Sequence, residues 1–236
     1  MKLAAIIPAR AGSKRLKNKN DRTIGGYTLV EWAIAAAKSI EHDCSTFIIT
    51  DSDVTRKISE NYEVSILERS KSLSTDNAST ESLIKHFINN NDFTDIVLLQ
   101  PTSPFRSTVE INRALKTYQA MNLLSLAAVC KPWQAPKDLI VRGTDGKFLQ
   151  KLVSEKALKT LDYFFDTGSL YISNSQRLLS GKLFIDNDTH FFECGELGNI
   201  DIDTKSQLEI TRSLFAAKFQ ATNVFDALSQ ITKAYT

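Results

Sequence analysis

The sequence predicts an α/β fold, a mostly parallel sheet sandwiched by helices with a small inserted subdomain. Three observations lead there. Apolar runs of four to six residues alternate with longer segments of helical period, the mark of βαβ units. Those runs are continuously apolar rather than alternating, as in strands covered on both faces. The pattern then breaks between Lys131 and about His190, where Pro132, Trp133 and Pro136 interrupt it and the apolar runs shorten.

The elements follow in order. Strand Leu3–Pro8 leads through a polar loop into a helix over Thr28–Ile40. Strand Thr46–Thr50, helix Val54–Asn61 and strand Glu63–Leu67 come next. Helix Ser79–Asn89 precedes strand Asp95–Leu99, and helix Thr108–Met121 precedes strand Leu124–Cys130. Thr28-x-x-Glu31, Ser107-x-x-Glu110 and Thr204-x-x-Gln207 have capping-box spacing, each where an apolar period begins. The insert is expected at about 131–190, with strands near Leu139–Arg142 and Ser169–Ile172 and a turn at Gly143–Gly146. The main fold resumes at Asn199–Asp203 and closes with helices Thr204–Phe219 and Val224–Lys233, which makes residues 1–236 a single domain.

Composition narrows the function classes. The 29 Lys and Arg against 27 Asp and Glu give a net charge of +2, too balanced for a bulk nucleic-acid binder. No apolar run approaches the ~18 residues of a membrane span. The apolar stretch before Pro8 is too short for a signal-peptide core. Cys44, Cys130 and Cys194 are odd in number and widely spaced, which argues against a disulfide framework or a structural zinc site. The expectation is a cytoplasmic globular protein with neither a membrane nor a nucleic-acid partner.

In open α/β sheets ligands bind beyond the carboxyl ends of strands, so the loops there carry the candidate chemistry. After the first strand, Arg10, Lys14, Arg15, Lys17, Lys19 and Arg22 place six cations in thirteen residues. The small residues Ala11, Gly12 and Ser13 let backbone N–H groups approach a ligand, and the combination suits a triphosphate. The alternative is an ordinary solvated basic loop. Neither a Walker A loop nor a GxGxxG turn is present.

Ile200-Asp201-Ile202-Asp203 is the second feature. In a strand, both aspartates face one side. Adjacent carboxylates repel unless a cation lies between them, and Mg²⁺ with phosphate oxygens as further ligands is the natural solution. The alternative has Asp203 capping the next helix and Asp201 merely exposed. Spacing leaves both open. The third feature is Gln100, at the end of a buried strand and ahead of a loop stiffened by Pro101 and Pro104. The three histidines, His42, His86 and His190, have no nucleophile at a recognisable spacing and read as structural.

These residues resemble one family. Ile7-Pro-Ala-Arg-x-Gly-Ser-Lys-Arg with Lys19-Asn20, the segment Glu68-Arg69 to Ser74–Thr80, Leu99-Gln-Pro-Thr-Ser-Pro-Phe-Arg106 and Asp201-Ile-Asp203 are similar to motifs of the acylneuraminate (CMP-sialic acid) cytidylyltransferases. The four motifs occur in the family's order and span most of the chain. The resemblance implies a nucleotide-diphospho-sugar-transferase-like fold and transfer of CMP from CTP to a sugar acid, with release of pyrophosphate. It implies that Arg10, Ser13, Lys14, Lys19 and Asn20 hold the triphosphate, and that Arg69, Ala78 and Thr80 read cytosine and ribose. Gln100 would contact the sugar, and Asp201 and Asp203 would bind Mg²⁺. Arg10, Lys19, Asp201 and Asp203 form the expected catalytic set, with the general base left open.

The departures concern the acceptor. Where relatives that use N-acetylneuraminate resemble Arg-Pro-Asn-Gly, this chain has Phe165-Asp-Thr167-Gly168, and Gln134-Ala135-Pro136 replaces a paired histidine. Arg-to-Phe deletes a fork of donors and adds an apolar wall. The expected acceptor is therefore a less hydroxylated nonulosonate of the legionaminate or pseudaminate type, with Phe165, Thr167 and Gly168 as substrate residues. An octulosonate-type acid is the alternative acceptor, and a non-catalytic nucleotide- or nucleic-acid-binding relative is the alternative class. The family's insert commonly forms a dimer interface, and Trp133, Phe164, Phe165, Phe184, Phe191 and Phe192 offer aromatic area for one. A homodimer is expected.

Overall fold

Strand β1, Leu3–Pro8, lies inside a seven-stranded sheet and sets its geometry. The computed structural model describes residues 1–70, 79–133, 141–142, 148–149 and 162–217. After β1 come a short hairpin, β2 Thr23–Ile24 and β3 Tyr27–Thr28, and helix α1, Leu29–Lys38. β4 Cys44–Thr50, α2 Asp53–Ser59, β5 Ser65–Glu68 and α3 Thr80–Asn90 follow. β6 Asp95–Leu98, α4 Thr108–Ala120 and β7 Ser125–Cys130 complete the first half. A two-strand ladder joins β8 Val141–Arg142 to β9 Phe148–Leu149. β10 Phe165–Asn174, α5 Ser175–Leu179, β11 His190–Glu193 and α6 Lys205–Ala216 end the described chain.

The sheet order is β11-β7-β10-β6-β1-β4-β5. β10 runs antiparallel to β6 and β7, and every other pair in this sheet is parallel. β1 is apolar throughout because both faces are covered. Leu3, Ala5 and Ile7 pack with Val30, Ala33 and Ile34 of α1 and with Ile111 and Leu115 of α4. Ala4 and Ile6 pack on the other face with Leu83, Ile84 and Phe87 of α3. The chain moves from β1 outward to β4 and β5, then returns to place β6 on β1's other side. That reversal opens a crevice between the loops that follow β1 and β6.

The expected strand over Ser169–Ile172 exists, but not in an insert. It is the middle of β10, hydrogen-bonded into the main sheet between β6 and β7. Its apolar run looked short because Asp166, Thr167 and Ser169 interrupt it, and these polar groups find partners within the sheet. Thr167 Oγ1 lies 3.0 Å from the Ala128 carbonyl and 2.6 Å from Ser169 Oγ. Asn199–Asp203 is not a strand either. A 3₁₀ turn, Glu196–Asn199, runs into an extended segment that hangs from the Ile202 N–H donating to the Thr102 carbonyl at 2.8 Å. The expected features at Leu139–Ile140, Gly143–Gly146, Gln134–Pro136 and Val224–Lys233 lie outside the described residues, as does Ala78.

Candidate active site

The crevice is a cavity of about 420 Å³, within the range of small-molecule sites. Nine residues expected from sequence line it: Arg10, Ser13, Lys14, Lys19, Asn20, Arg69, Thr80, Gln100 and Asp203. They come from five chain segments. Local hydrogen bonds hold the first loop in shape: Asn20 Nδ2 donates to the Arg10 carbonyl at 2.9 Å, and the Ala11 N–H donates to Asp51 at 2.6 Å. Gly12 and Asn18 take positive φ values of 71° and 53°, conformations that favour Gly and Asn. Below the loop, Leu16 packs with Trp32, Phe105, Ile200 and Ile202, so one apolar cluster anchors the loops after β1 and β6 and the Asp203 segment.

Electrostatics define what the cavity accepts. Among the described residues, Arg10, Lys14, Arg15, Lys19 and Arg69 are five cations on its wall, against the single carboxylate of Asp203. Arg69 is buried, and that burial pulls its guanidinium below the ordinary arginine range; Asp51 opposes the shift and Arg10 adds to it. Asp203 accepts from Lys19 Nζ at 2.8 Å through one oxygen and from Arg15 at 2.7 Å through the other. Thr80 opens α3, whose Ser79 N-cap accepts from the Ser82 N–H, so the positive end of a helix faces the cavity. Cations, helix end and small-residue loop together make a receptor for a polyanion.

Asp203 is not a helix cap. Thr204 fills that role for α6 in a full capping box with Gln207. Ile200 and Ile202 point into the core and leave Asp201 exposed, as period-two alternation requires. Asp201 does not line the cavity, however. Its charge is felt instead by the buried Arg106 and by Tyr171. Among the described residues, no group of three or more His, Cys, Asp or Glu could hold a metal by itself. A divalent cation would therefore need oxygens from a bound ligand and from water beside any carboxylate of the chain, which is how Mg²⁺ binds nucleotides.

The three expected acceptor residues lie on β10, at the same sheet edge but outside the cavity wall. Phe165 is exposed, and Gly168, at φ +65°, sits in a register shift between Asp166 and Tyr171. Thr167 corrects its expectation: it is buried and engaged with Ala128 and Ser169, so it shapes the strand rather than touching a ligand. Sequence reasoning left two polar residues of the cavity wall unassigned: Arg15 and Thr102. Arg15 stands in the cation-rich loop, which was signal enough. On β10, both oxygens of Asp166 accept from the Tyr171 hydroxyl, at 2.8 and 2.9 Å, and burial first and Asp166 second push that phenol's pKa up.

Comparison with known proteins decides the family. A family model described as cytidylyltransferase matches residues 4–139. The chain belongs to the cytidylyltransferase family. Within that family it is 30% identical to an N-acylneuraminate cytidylyltransferase of Escherichia coli O18:K1:H7, over 98% of this chain and 60% of that protein. A CMP-N,N'-diacetyllegionaminic acid synthase of Legionella pneumophila is 28% identical, over 94% of this chain and 99% of its own length. The chain spans only 51% to 60% of the length of the N-acylneuraminate cytidylyltransferases from E. coli and Streptococcus agalactiae that it matches. A CMP:2-keto-3-deoxy-manno-octonic acid synthetase, solved with CTP, shares the fold at a TM-score of 0.73 and 15% identity, covering 92% of this chain and all of that one. The nucleotide-diphospho-sugar-transferase-like fold is thus shown.

Proposed function

We propose that this cytidylyltransferase moves CMP from CTP onto the anomeric hydroxyl of a nonulosonic, sialic-acid-like sugar acid and releases pyrophosphate. The observation that carries the reading is the cavity at the β1/β6 reversal, with five cations and one carboxylate, in a chain of this family. Arg10, Ser13, Lys14, Lys19 and Asn20 hold the triphosphate, while Arg69 and Thr80 take the nucleoside end. Ala78, outside the described residues, belongs to the same expected nucleoside-binding set. Gln100 faces the acceptor, and Phe165 and Gly168 form the rim it passes.

The chemistry is positioning plus electrostatics. The acceptor hydroxyl attacks the α-phosphorus in line, and charge gathers on phosphate oxygens and leaving pyrophosphate. Arg10, Lys14 and Lys19 stand where that charge develops. Lys19 and Arg15 are tied to Asp203 without ligand. A triphosphate offers both a more highly charged partner and frees the carboxylate, which would then hold Mg²⁺ together with phosphate oxygens. The metal, when bound, neutralises the phosphates and polarises the reacting phosphoryl group. Asp201, the expected second ligand, stands two residues from Asp203 and outside the cavity wall without ligand.

Pyrophosphate release tests the reading, with CTP, ATP, GTP and UTP against N-acetylneuraminate, legionaminate, pseudaminate and octulosonate acceptors. The expected result is release with CTP and a nonulosonate, and poor turnover of N-acetylneuraminate because Phe165 replaces a donor fork. Octulosonate as the sole acceptor overturns the sugar class, and CTP binding without turnover of any acceptor overturns the reaction. The protein works as a homodimer without nucleic-acid or membrane partners; among the described residues no helix is long and apolar enough to cross a membrane.

A further inference from the structure

Arg106 is the most buried cation among the described residues, at 4% exposed. It closes the proline-stiffened loop after β6, and its guanidinium reaches two other segments. Nε donates to the Ser169 carbonyl of β10, and one terminal nitrogen donates to the Gln100 carbonyl. The other terminal nitrogen has no hydrogen-bond partner. Burial lowers the guanidinium pKa to about 9, and Asp201 is the charge that opposes the shift. Burying a charge so incompletely satisfied is costly, and an apolar side chain of similar volume fills such a place at lower cost. The position therefore calls for a reason other than packing.

The two carbonyls supply one. Gln100 is on the cavity wall, whereas Ser169 lies where the β10–β7 register shifts between Asp166 and Tyr171. The same loop accepts the Ile202 N–H through Thr102, which suspends the segment that carries Asp203. One planar fork thus fixes the β10 rim relative to the loop that positions both Gln100 and Asp203. A guanidinium has the rigid, divergent donors for this, and a lysine does not.

We propose that Arg106 is a positioning residue that sets the acceptor-side rim against the nucleotide cavity. The catalytic consequence rests on the cytidylyl-transfer reading; the mechanical one does not. Arg106→Met and Arg106→Lys test it by hydrogen exchange, CTP calorimetry and steady-state pyrophosphate release. In Arg106→Met, amides of both 99–106 and 165–171 should exchange at least tenfold faster, with β1 unchanged. CTP affinity should stay within threefold, while kcat falls thirtyfold or more and the KM for CTP holds. If Arg106→Met does not fold, Arg106→Lys carries the test and should still loosen at least one segment. Unchanged exchange at both segments in the folded variant overturns the proposal. So does faster exchange with wild-type kcat. Absence of turnover in the wild-type protein counts against the transfer reading alone, and the exchange result then decides whether Arg106 is the clamp.

Discussion

Lys19 and Asp203 are separated by 184 residues in sequence and 2.8 Å in space. Both were legible as candidates: Lys19 because six cations cluster in one loop, and Asp203 because Ile-Asp-Ile-Asp alternates. Their pairing was not legible, since it depends on the crevice bringing two loops together. The same pairing separates two cations of identical charge. Lys19 is largely enclosed, with 17% of its side chain exposed, whereas Arg15 is 71% exposed. Lys19→Ala should weaken CTP binding by roughly 10- to 100-fold, the worth of a charge-assisted hydrogen bond of about 1.5–3 kcal/mol. Arg15→Ala should weaken it by less than about fivefold, as solvent screens an exposed pair. Calorimetric titration of CTP into each variant measures both, and equal losses would refute the ranking. Arg106 escaped sequence reasoning for a related reason: its partners are backbone carbonyls, which no side-chain pattern reports.

Elements were most legible where local signals agree with burial. β1 runs over the six residues expected, because an unbroken apolar run between polar loops leaves no other register. Thr28 and Thr204 close full capping boxes with Glu31 and Gln207. At Ser107 only half a box forms: the Ser107 hydroxyl accepts from the Glu110 N–H, but the Glu110 carboxylate accepts from the Gly195 N–H at 2.6 Å instead. Tertiary contact overrode the local motif there, and β10 was misplaced because its polar positions are satisfied only by its neighbours. Thr28→Ala should cost about 1 kcal/mol, seen as a melting temperature lower by roughly 2–4 °C. Gly25→Ala should cost more: φ is +60°, and an added Cβ would lie 2.1 Å from the Phe215 ring that seats α6. Acid stability rests on another tether. The buried Arg177 binds Asp188 at 2.6 Å and holds its carboxyl below the ordinary 3.8. A carboxyl so held stabilises the fold fully above 3.8 and ceases to as pH falls through its lowered value. Asp188→Asn should therefore flatten the loss of stability between pH 4 and lower pH in denaturant titrations, and an unchanged acid limb would refute the tether.

At the scale of the whole molecule, the sheet has two unlike ends. β5 at one edge is short, and its side chains are only partly covered. At the other end, Trp133, Phe164, Phe165 and Phe191 are all exposed. Phe165 pairs in register with Cys130 and Phe191 with Ala127, three residues apart on β7, so the two side chains leave opposite faces of the sheet close to one edge. Exposed aromatic side chains at this end of the sheet, beside the open strand edge of β11, suit an association region. A two-fold interface needs about 1,200–2,000 Å² in total. A self-complementary interface around β11 would need about 800 Å² from each copy. Light scattering of the intact chain should give twice the monomer mass. Phe191→Glu combined with Trp133→Glu should halve it, because a charge buried at a symmetric contact is met by its own copy and two like charges repel. The cavity lies beyond this region, so calorimetry should show CTP affinity within threefold of wild type in the monomeric variant. A wild-type monomer would refute the dimer, and a double variant that stays dimeric would put its interface elsewhere on the molecule.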